Sequence, residues 1–267
     1  MTASGRVPQS LHDQVVGAIG TAICDGVFPA GHILSIDALA AQHGVSRPVV
    51  REACRVLTAL GLVASRRRVG TVVQPTTRWM AFDPRVIRWR LASSDRLAQL
   101  VVLTELRTAI EPQAARLAAQ RRPDATATEL VVLAARLWDS GSAGRGPEFL
   151  AHDLKFHRLL LQASGNDMFA HLGDAVAEVL AGRHQYGLFP ERPAQEALQW
   201  HMDVAQAVQR GDAACAFETM VKIVDRSLAE SAALWERAPS PGSASEPSSR
   251  TVPDGADRAE GADGRSG

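Results

Sequence analysis

The sequence predicts a mainly α-helical protein, with a winged helix-turn-helix at its amino end and an all-α bundle after it. Along most of the chain, apolar residues recur at three- and four-residue steps, which is typical of amphipathic helices. Strand signals occur in two short runs within residues 62–73, and the pattern from residue 95 onward shows no alternation. The chain has 267 residues, of which 46% are apolar and 22% charged, a composition that suits two soluble domains.

The first domain is predicted to cover residues 10–75 and to contain two short helices joined by a turn. A supporting helix is predicted at Leu11–Cys24. A short helix capped by Ser35 then leads into a turn at Gly44, and a second helix, capped by Ser46, follows the turn. This order of elements is the helix-turn-helix, in which the second helix enters the DNA major groove.

The second helix shows a basic face opposite its apolar stripe, with arginines at intervals of four at Arg47, Arg51 and Arg55. Two predicted strands follow it, and a basic turn at residues 66–70 joins them as a wing. Between residues 42 and 70 there are six arginines and one acid, although the whole chain balances 29 basic against 29 acidic residues. The positive charge is therefore local, as contact with a nucleic-acid backbone requires.

The run GVSRPVVREACRVLTALGLV, followed by RRRVGTVV, resembles the winged helix-turn-helix of the GntR superfamily of bacterial transcription regulators. The resemblance covers nearly all of the first 75 residues and departs at Cys54, where the family usually has leucine. It implies that Arg47 and Arg51 contact bases or backbone in the major groove, and that Ser35 and Ser46 lie at phosphates. It also implies a wing tip in or beside the minor groove, formed by Arg66, Arg67, Arg68 and Gly70.

The rest of the chain is predicted to be a lead-in, a helical domain and a tail. Residues 76–94 are interpreted as a linker with an aromatic-rich lead-in, and residues 95–237 as an all-α domain for effector binding and dimerisation. Residues 1–9 are predicted to be a flexible arm, and residues 238–267, rich in Pro, Ser, Gly and Ala, a disordered tail. The predicted helices of the α domain cover residues 95–120, 126–138, 148–163, 168–184, 193–209 and 212–236.

Two further features of the sequence indicate the cellular location of the protein and the state of its cysteines. No apolar run approaches the length of a membrane span, and the amino terminus lacks the hydrophobic core of a signal peptide, so we expect a cytoplasmic protein. The three cysteines, Cys24, Cys54 and Cys215, are scattered through apolar segments, and we expect them to be free thiols.

Polar side chains on the apolar faces of the bundle helices are the chemical signal of the second domain. Asp153 and His157 are four residues apart and so lie one turn apart on one face, and His201 also points inward. A carboxylate and two imidazoles can ligate Zn²⁺, Ni²⁺ or Mn²⁺. The plain alternative is a set of core residues joined by hydrogen bonds, and spacing alone does not choose between the two. Arg107 lies on an apolar face as well, and its burial requires an anionic partner.

The segments DLKFHRLLLQASGN and HMDVAQAVQRGD resemble the FCD effector domain of the FadR-type branch of GntR regulators. The resemblance implies that Asp153, His157 and His201 ligate a divalent metal. A fourth family ligand, a histidine about 22 residues beyond His201, is here replaced by Ile223. Three options follow: a three-ligand site completed by waters and effector oxygens, which we favour, a weaker site, or direct effector binding without metal.

Three residues are candidates for contact with the effector. Arg107, in the segment ELRTAIEP, matches the family's ELRxxIEP segment, and the match implies a partner for an effector carboxylate. Asn166 matches a family asparagine and has helix capping as its alternative role, and Arg183 has a solvated helix end as its alternative position. The segment DPRVIRW resembles family members that sense sugar acids such as galactonate.

These features predict a non-enzymatic transcription regulator that binds double-stranded DNA as a homodimer on a palindromic operator. A small carboxylate effector, with sugar acids as first candidates, would bind with a divalent metal and change operator affinity. The main alternative is a metal-dependent enzyme fused to a DNA-binding domain, although the sequence lacks an HExxH-like pairing. A second alternative is an architectural DNA-binding protein with a purely structural bundle.

Overall fold

The computed structural model describes residues 10–121, 124–187 and 192–237. The predicted arm at residues 1–9 and the predicted tail at residues 238–267 lie outside this part of the chain. The described residues form a small three-stranded sheet with helices at the amino end and a helical bundle after it, which confirms the predicted fold class. Within these ranges, no helix is both long and apolar enough to cross a membrane.

Three helices and three strands build the amino-terminal domain. They are α1 (Leu11–Cys24), β1 (Ile33–Leu34), α2 (Ile36–His43), α3 (Arg47–Ala59), β2 (Val63–Arg66) and β3 (Gly70–Val73). The strands pair antiparallel in the order β1-β3-β2, with Ile33 opposite Val72 and Val63 opposite Val73. The predicted bounds of α1 are confirmed, and so is the helix-turn-helix order of α2 and α3.

Helix α2 begins and ends as the sequence predicts. The Oγ of Ser35 accepts a hydrogen bond from the Ala38 amide at 3.2 Å, which caps the first turn. Gly44 ends the helix in the left-handed region with a φ of 63°, where the lack of a Cβ avoids a clash. These two residues set the length of the first helix of the motif.

The predicted cap of α3 is corrected by the structure. Ser46 occupies the N-cap position, but its side chain makes no capping hydrogen bond. An N-cap oxygen bonds the amide of the second or third helical residue. Here the second residue is Pro48, which has no N–H, and the amide of Val49, the third, donates to the backbone carbonyl of Ser46 at 3.1 Å. The hydroxyl of Ser46 is therefore not used by the helix.

Helix α3 separates apolar from basic residues as its periodicity predicts. Its arginines at Arg47, Arg51 and Arg55 are exposed. Its buried side chains are Val50, Ala53, Cys54 and Leu57. They pack in one core with buried residues of α1, so α1 supports the helix whose other face is basic.

In the described part of the chain, a short 3-10 helix (Thr76–Arg78) and eight α-helices follow the sheet. The α-helices are α4 (Pro84–Ala92), α5 (Arg96–Arg121), α6 (Asp124–Ser142), α7 (Gly146–Ala163), α8 (Asp167–His171), α9 (Gly173–Gln185), α10 (Gln195–Arg210) and α11 (Ala213–Arg237). The single helix predicted at residues 168–184 is wrong, because the chain makes two helices there. Helix α8 has no buried residue, whereas α9 buries Val176 and Val179, so the break at Leu172 lets α9 enter the core.

Helix α4, in the segment interpreted as a linker, contributes to two hydrophobic cores. Its Val86 and Trp89 pack in the core of the amino-terminal domain, and its Ile87 and Leu91 pack with bundle residues. The Trp89 ring lies so close to α1 that a Cβ on Gly20 would come within 2.5 Å of it. The sequence predicts a linker here, whereas the structure shows a helix that joins the two domains by direct packing.

Candidate functional site

The residues predicted to contact DNA are exposed in the structure. They are Ser35, Ser46, Arg47, Arg51, Arg66, Arg67, Arg68 and Gly70. Arg47 forms an ion pair with Asp37 of α2, with 2.6 Å between its Nε and the Asp37 Oδ1. In the portion of the chain that the structure describes, Arg51 and the three wing arginines form no ion pair, so their charges remain available to phosphates.

The wing tip carries an unusual backbone conformation. Arg68 has a φ of 64°, in the left-handed region that residues with a Cβ rarely adopt. A β-hairpin turn usually places glycine or asparagine there, because an arginine costs conformational energy. The structure therefore places a cationic side chain at the tip at some cost in stability.

The three predicted metal ligands meet inside the bundle. Asp153 and His157 lie on α7 and His201 on α10, and all three are buried. Their ligand atoms lie within 4.8 Å of one another. The Nε2 atoms of His157 and His201 are 3.5 and 3.4 Å from the same oxygen, Asp153 Oδ1. The structure thus brings together residues from two helices around one carboxylate oxygen.

The second ring nitrogen of each histidine already has a partner. His157 Nδ1 is 2.7 Å from Glu111 Oε2, and His201 Nδ1 is 2.7 Å from the Ala197 carbonyl oxygen. Because both oxygens are acceptors, each Nδ1 carries the hydrogen, and the Nε2 of a neutral ring holds a lone pair. His201 Nε2 is buried without a hydrogen-bond partner among the described residues. Lone pairs that face a carboxylate oxygen fit a bound cation, and the Nδ1 partners are those that orient metal-ligating histidines.

Glu111, which is not among the site residues predicted from the sequence, is the centre of a buried charge network. Its Oε1 is 2.7 Å from Arg107 Nε, and its Oε2 accepts from His157. Burial alone would raise the pKa of Glu111, but the charges of Arg107 and His157 outweigh burial and lower the pKa to about 2. The signal in the sequence was the four-residue spacing of Arg107 and Glu111, which places both on one helix face.

The charges of the carboxylates also act on the histidine. Burial lowers the pKa of His157, but Glu111 and Asp153 outweigh it and raise the pKa to about 9. Burial likewise disfavours a charged Asp153, but His157 and His201 hold the pKa of this carboxyl far below its usual value. The metal-free site therefore carries a proton on His157, and a metal ion would have to replace that proton.

A cavity of about 50 Å³ lies beside these groups, and Asp153, His157 and His201 line it. This volume holds an ion with a few waters, because one water needs roughly 10–15 Å³ on this measure. Ile223 also lines the cavity, at the position where the resemblance implied a histidine. A sugar acid displaces more waters than this cavity holds, so it would either extend beyond the cavity or move the side chains around it.

The predicted effector residues fall in different places. Arg107 and Arg183 both line the cavity, but Asn166 does not. The Oδ1 of Asn166 instead accepts a hydrogen bond from the Met168 amide at 3.0 Å, as the cap of α8. The guanidinium of Arg107 is already paired with Glu111, so an effector carboxylate would share it with an internal acid.

The alternative position of Arg183 at a solvated helix end is wrong. The side chain is buried, with 5% of its surface exposed, and it ion-pairs with Glu230 of α11 at 2.5 Å. It also donates to the Ser227 hydroxyl, to which Arg107 donates at 3.3 Å. Two buried guanidinium groups therefore meet at one hydroxyl in the wall of the cavity.

Comparisons with known proteins agree with both halves of the structure. Residues 11–73 match the family profile described as bacterial regulatory proteins, gntR family, and residues 102–226 match the FCD domain profile. The galactonate operon transcriptional repressor of Escherichia coli strain K12 is 29% identical over 224 residues, which are 82% of this chain and 96% of the repressor. The probable D-xylose utilization operon transcriptional repressor of Paenarthrobacter nicotinovorans is 30% identical over 207 residues, 76% of this chain and 80% of the relative.

A solved structure shares the fold. It is that of Lar, which controls expression of the agr system of Listeria monocytogenes, and it superposes with a TM-score of 0.56 at 18% sequence identity. The match covers 85% of this chain and 98% of Lar. At this identity the likeness concerns the arrangement of the helices and strands.

Proposed function

Because the chain belongs to the GntR family of bacterial regulatory proteins and carries an FCD domain, we propose that it senses a small organic acid together with a divalent metal. Binding of both in the helical domain would set the affinity of the winged helix-turn-helix for operator DNA. The observation that carries the proposal is the pair of histidine Nε2 atoms facing Asp153 Oδ1 in a buried site.

Asp153, His157 and His201 would hold the ion, and Zn²⁺, Ni²⁺ and Mn²⁺ each accept this donor set. When bound, the ion would supply open coordination positions for oxygens of an acid or of water. Glu111 and the Ala197 carbonyl would keep the two rings oriented through their Nδ1 hydrogens. Ile223 contributes no donor, so three protein ligands are proposed for this chain.

The acid would bind beside Arg107 and Arg183, whose guanidinium groups line the same cavity. Guanidinium groups recognise carboxylates through two parallel hydrogen bonds. A relative named for a galactonate operon makes a sugar acid the first candidate. Because such an acid displaces more waters than the cavity holds, its binding would favour an arrangement of the bundle in which the cavity is more open. The preference of the acid for that arrangement would couple acid binding to the affinity for operator DNA.

A homodimer on a palindromic operator completes the proposal. A single winged helix reads only a few base pairs, and two-fold symmetry places two recognition helices on two half-sites. A metal-dependent hydrolase is the alternative, but the buried acids at the site, Asp153 and Glu111, are engaged by histidine and arginine side chains. This engagement favours a regulator, because a hydrolase needs an acid or base beside the metal-bound water.

The first experiment measures metal binding. Chelator-treated protein is titrated with Zn²⁺, Ni²⁺ and Mn²⁺ by calorimetry, and the variants His201→Ala and His171→Ala are compared with it. His171 is exposed on α8 and serves as the matched control. We expect one ion per chain in the wild type and the control, and loss of binding in His201→Ala. If no metal binds the wild type, the metal part of the proposal is wrong.

The second experiment measures DNA binding by fluorescence anisotropy on a site that the protein selects from a random DNA pool. A panel of sugar acids, including D-galactonate, is added with and without the metal. We expect at least one acid to change the dissociation constant of the wild type and to have a weaker effect on Arg183→Gln. The same dissociation constant across the panel would remove the effector from the proposal, and turnover of an acid would support the enzyme.

A further inference from the structure

The first turn of helix α3 carries an ion pair that joins it to α2. Arg47 is the first residue of α3, and its Nε lies 2.6 Å from Oδ1 of Asp37, in the first turn of α2. Both side chains remain about two-thirds exposed, at 67% and 68%. Residues at the amino end of a recognition helix are those that reach the base edges. The pair therefore lies where this motif reads sequence.

Asp37 lies in the first turn of α2, where a carboxylate stabilises a helix by about 0.3–1 kcal/mol, but this effect does not require the contact with Arg47. An exposed ion pair adds little to folding stability, because water screens it and two long side chains lose freedom. A carboxylate on a phosphate-facing surface also repels the DNA backbone. Asp37 thus opposes the attraction that the neighbouring arginines provide, and its contact with Arg47 is the feature that needs an explanation.

The contact has a consequence for how Arg47 meets a base. Asp37 approaches the guanidinium at Nε. The two terminal nitrogens, Nη1 and Nη2, are the pair of donors that binds guanine O6 and N7 side by side in the major groove. A carboxylate at Nε reduces the number of directions that this fork can take. An arginine restricted in this way is suited to one base, whereas Arg51, which forms no ion pair among the described residues, is free to turn toward either a base or a phosphate.

We propose that Asp37 is a positioning residue for Arg47 and that the pair selects a guanine in each operator half-site. The inference rests on DNA binding by the winged helix-turn-helix. It is independent of the metal and of the acid, so that failure of either part of the sensing proposal leaves it standing.

The test compares base preferences of full-length variants. Wild type and Asp37→Ala each select sites from a random DNA pool, and affinities are measured for the selected site with each base at every position. We expect the wild type to prefer guanine at one position per half-site by a factor on the order of ten or more. We expect Asp37→Ala to lose most of this preference while its affinity for unrelated DNA stays equal or rises.

Two further variants separate positioning from other roles. Glu52→Ala is the matched control, because it removes the carboxylate of another exposed arginine pair on α3, Glu52 with Arg55 at 2.9 Å. We expect it to change overall affinity without changing any base preference. Arg47→Ala should lose the same guanine preference, and adding Asp37→Ala to it should cause no further loss.

Two outcomes would overturn the inference. In the first, Asp37→Ala keeps the wild-type preference or changes it no more than Glu52→Ala does. In the second, the melting temperature falls with the preference intact, which would make Asp37 a structural link between α2 and α3. Asp37→Asn, which keeps the shape of the side chain, repeats the measurement should Asp37→Ala fold poorly. Absence of any DNA binding by the wild type would instead refute the family-level function.

Discussion

The arginines of the two candidate sites lie in opposite environments. In the amino-terminal domain, Arg51 and the wing arginines are exposed, and their charge acts on DNA through solvent. In the helical domain, Arg107 and Arg183 are buried against Glu111 and Glu230. An exposed arginine attracts DNA phosphates without needing a partner at a fixed distance. A buried arginine requires an acidic partner within the protein, and the pairing fixes the positions of both side chains.

The strongest test of this contrast removes a buried carboxylate. Glu111→Ala leaves Arg107 and His157 buried without their shared partner, and we expect a loss of about 3–5 kcal/mol in the free energy of unfolding. Urea denaturation measures it. The control Glu52→Ala removes an exposed partner of Arg55 and should cost less than about 1 kcal/mol. Equal losses in the two variants would mean that the burial of the network has no energetic consequence.

The buried network should also make the stability of the metal-free protein depend on pH. The pKa of His157 is raised from 6.5 to about 9, so its contribution is full below pH 6.5 and is lost as the pH rises through 9. Between pH 6 and pH 9 we expect the free energy of unfolding to fall by on the order of 3 kcal/mol. Urea midpoints in the presence of chelator measure the fall.

Acid acts on the same network through Glu111. Its pKa is lowered from 4.5 to about 2, so its contribution to stability is present above pH 4.5 and is lost as the pH falls toward 2.

Two controls test the role of His157 between pH 6 and pH 9. The variant His157→Gln should lose the decline in the free energy of unfolding over this range. Zn²⁺ should reduce the decline in the wild type, because metal binding requires the deprotonated ring. A flat profile for the metal-free wild type would argue against a charged His157.

A third test concerns the boundary between the two environments, where Trp89 of α4 lies on α1. Gly20→Ala places a Cβ 2.5 Å from the ring, and overpacking of this kind costs about 1–3 kcal/mol. Gly17→Ala, on the same helix, meets Trp89 at 3.8 Å and should be neutral or stabilise the helix by up to roughly 1 kcal/mol. Thermal denaturation separates the two, and a stable Gly20→Ala protein would contradict the packing described above.

The smallest effect is expected at the wing tip. Arg68→Gly relieves a positive φ but adds freedom to the unfolded chain, so we expect a net gain of only about 0.5 kcal/mol in stability. DNA affinity should fall, and the slope of log affinity against log salt should decrease by roughly one. Arg67→Gly removes the same charge without this relief and should show no gain. A larger loss of stability in Arg68→Gly than in Arg67→Gly would contradict the conformational argument.

The sequence was most informative where structure is decided by neighbouring residues. The bounds of α1, the Ser35 cap and the Gly44 turn depend on contacts within a few residues, and all were predicted. The cap of α3 failed because the proline at its second position removes the amide donor, a local effect that was visible in the sequence. The break at Leu172 was not predicted, since it follows from how α9 packs in the bundle.

The residues of the candidate site also fall into those that local spacing predicts and those that depend on the packing of distant helices. The spacing of Asp153 and His157 and the inward face of His201 place three groups in one interior, as the structure shows. Glu111 was within reach of the sequence, at four residues from Arg107. The position of Arg183 was not, because its partners Ser227 and Glu230 come from α11, and only the packing of distant helices brings them to it.

Helix α4 contributes to two interiors with only nine residues. During synthesis, residues 10–75 leave the ribosome before Val86 and Trp89, and until those side chains arrive the core around α1 has an uncovered apolar surface. A fragment that stops at residue 75 would keep that surface exposed. The DNA-reading part of this protein is therefore no detachable module, and grafting it onto another sensor would require α4 to be carried along with it.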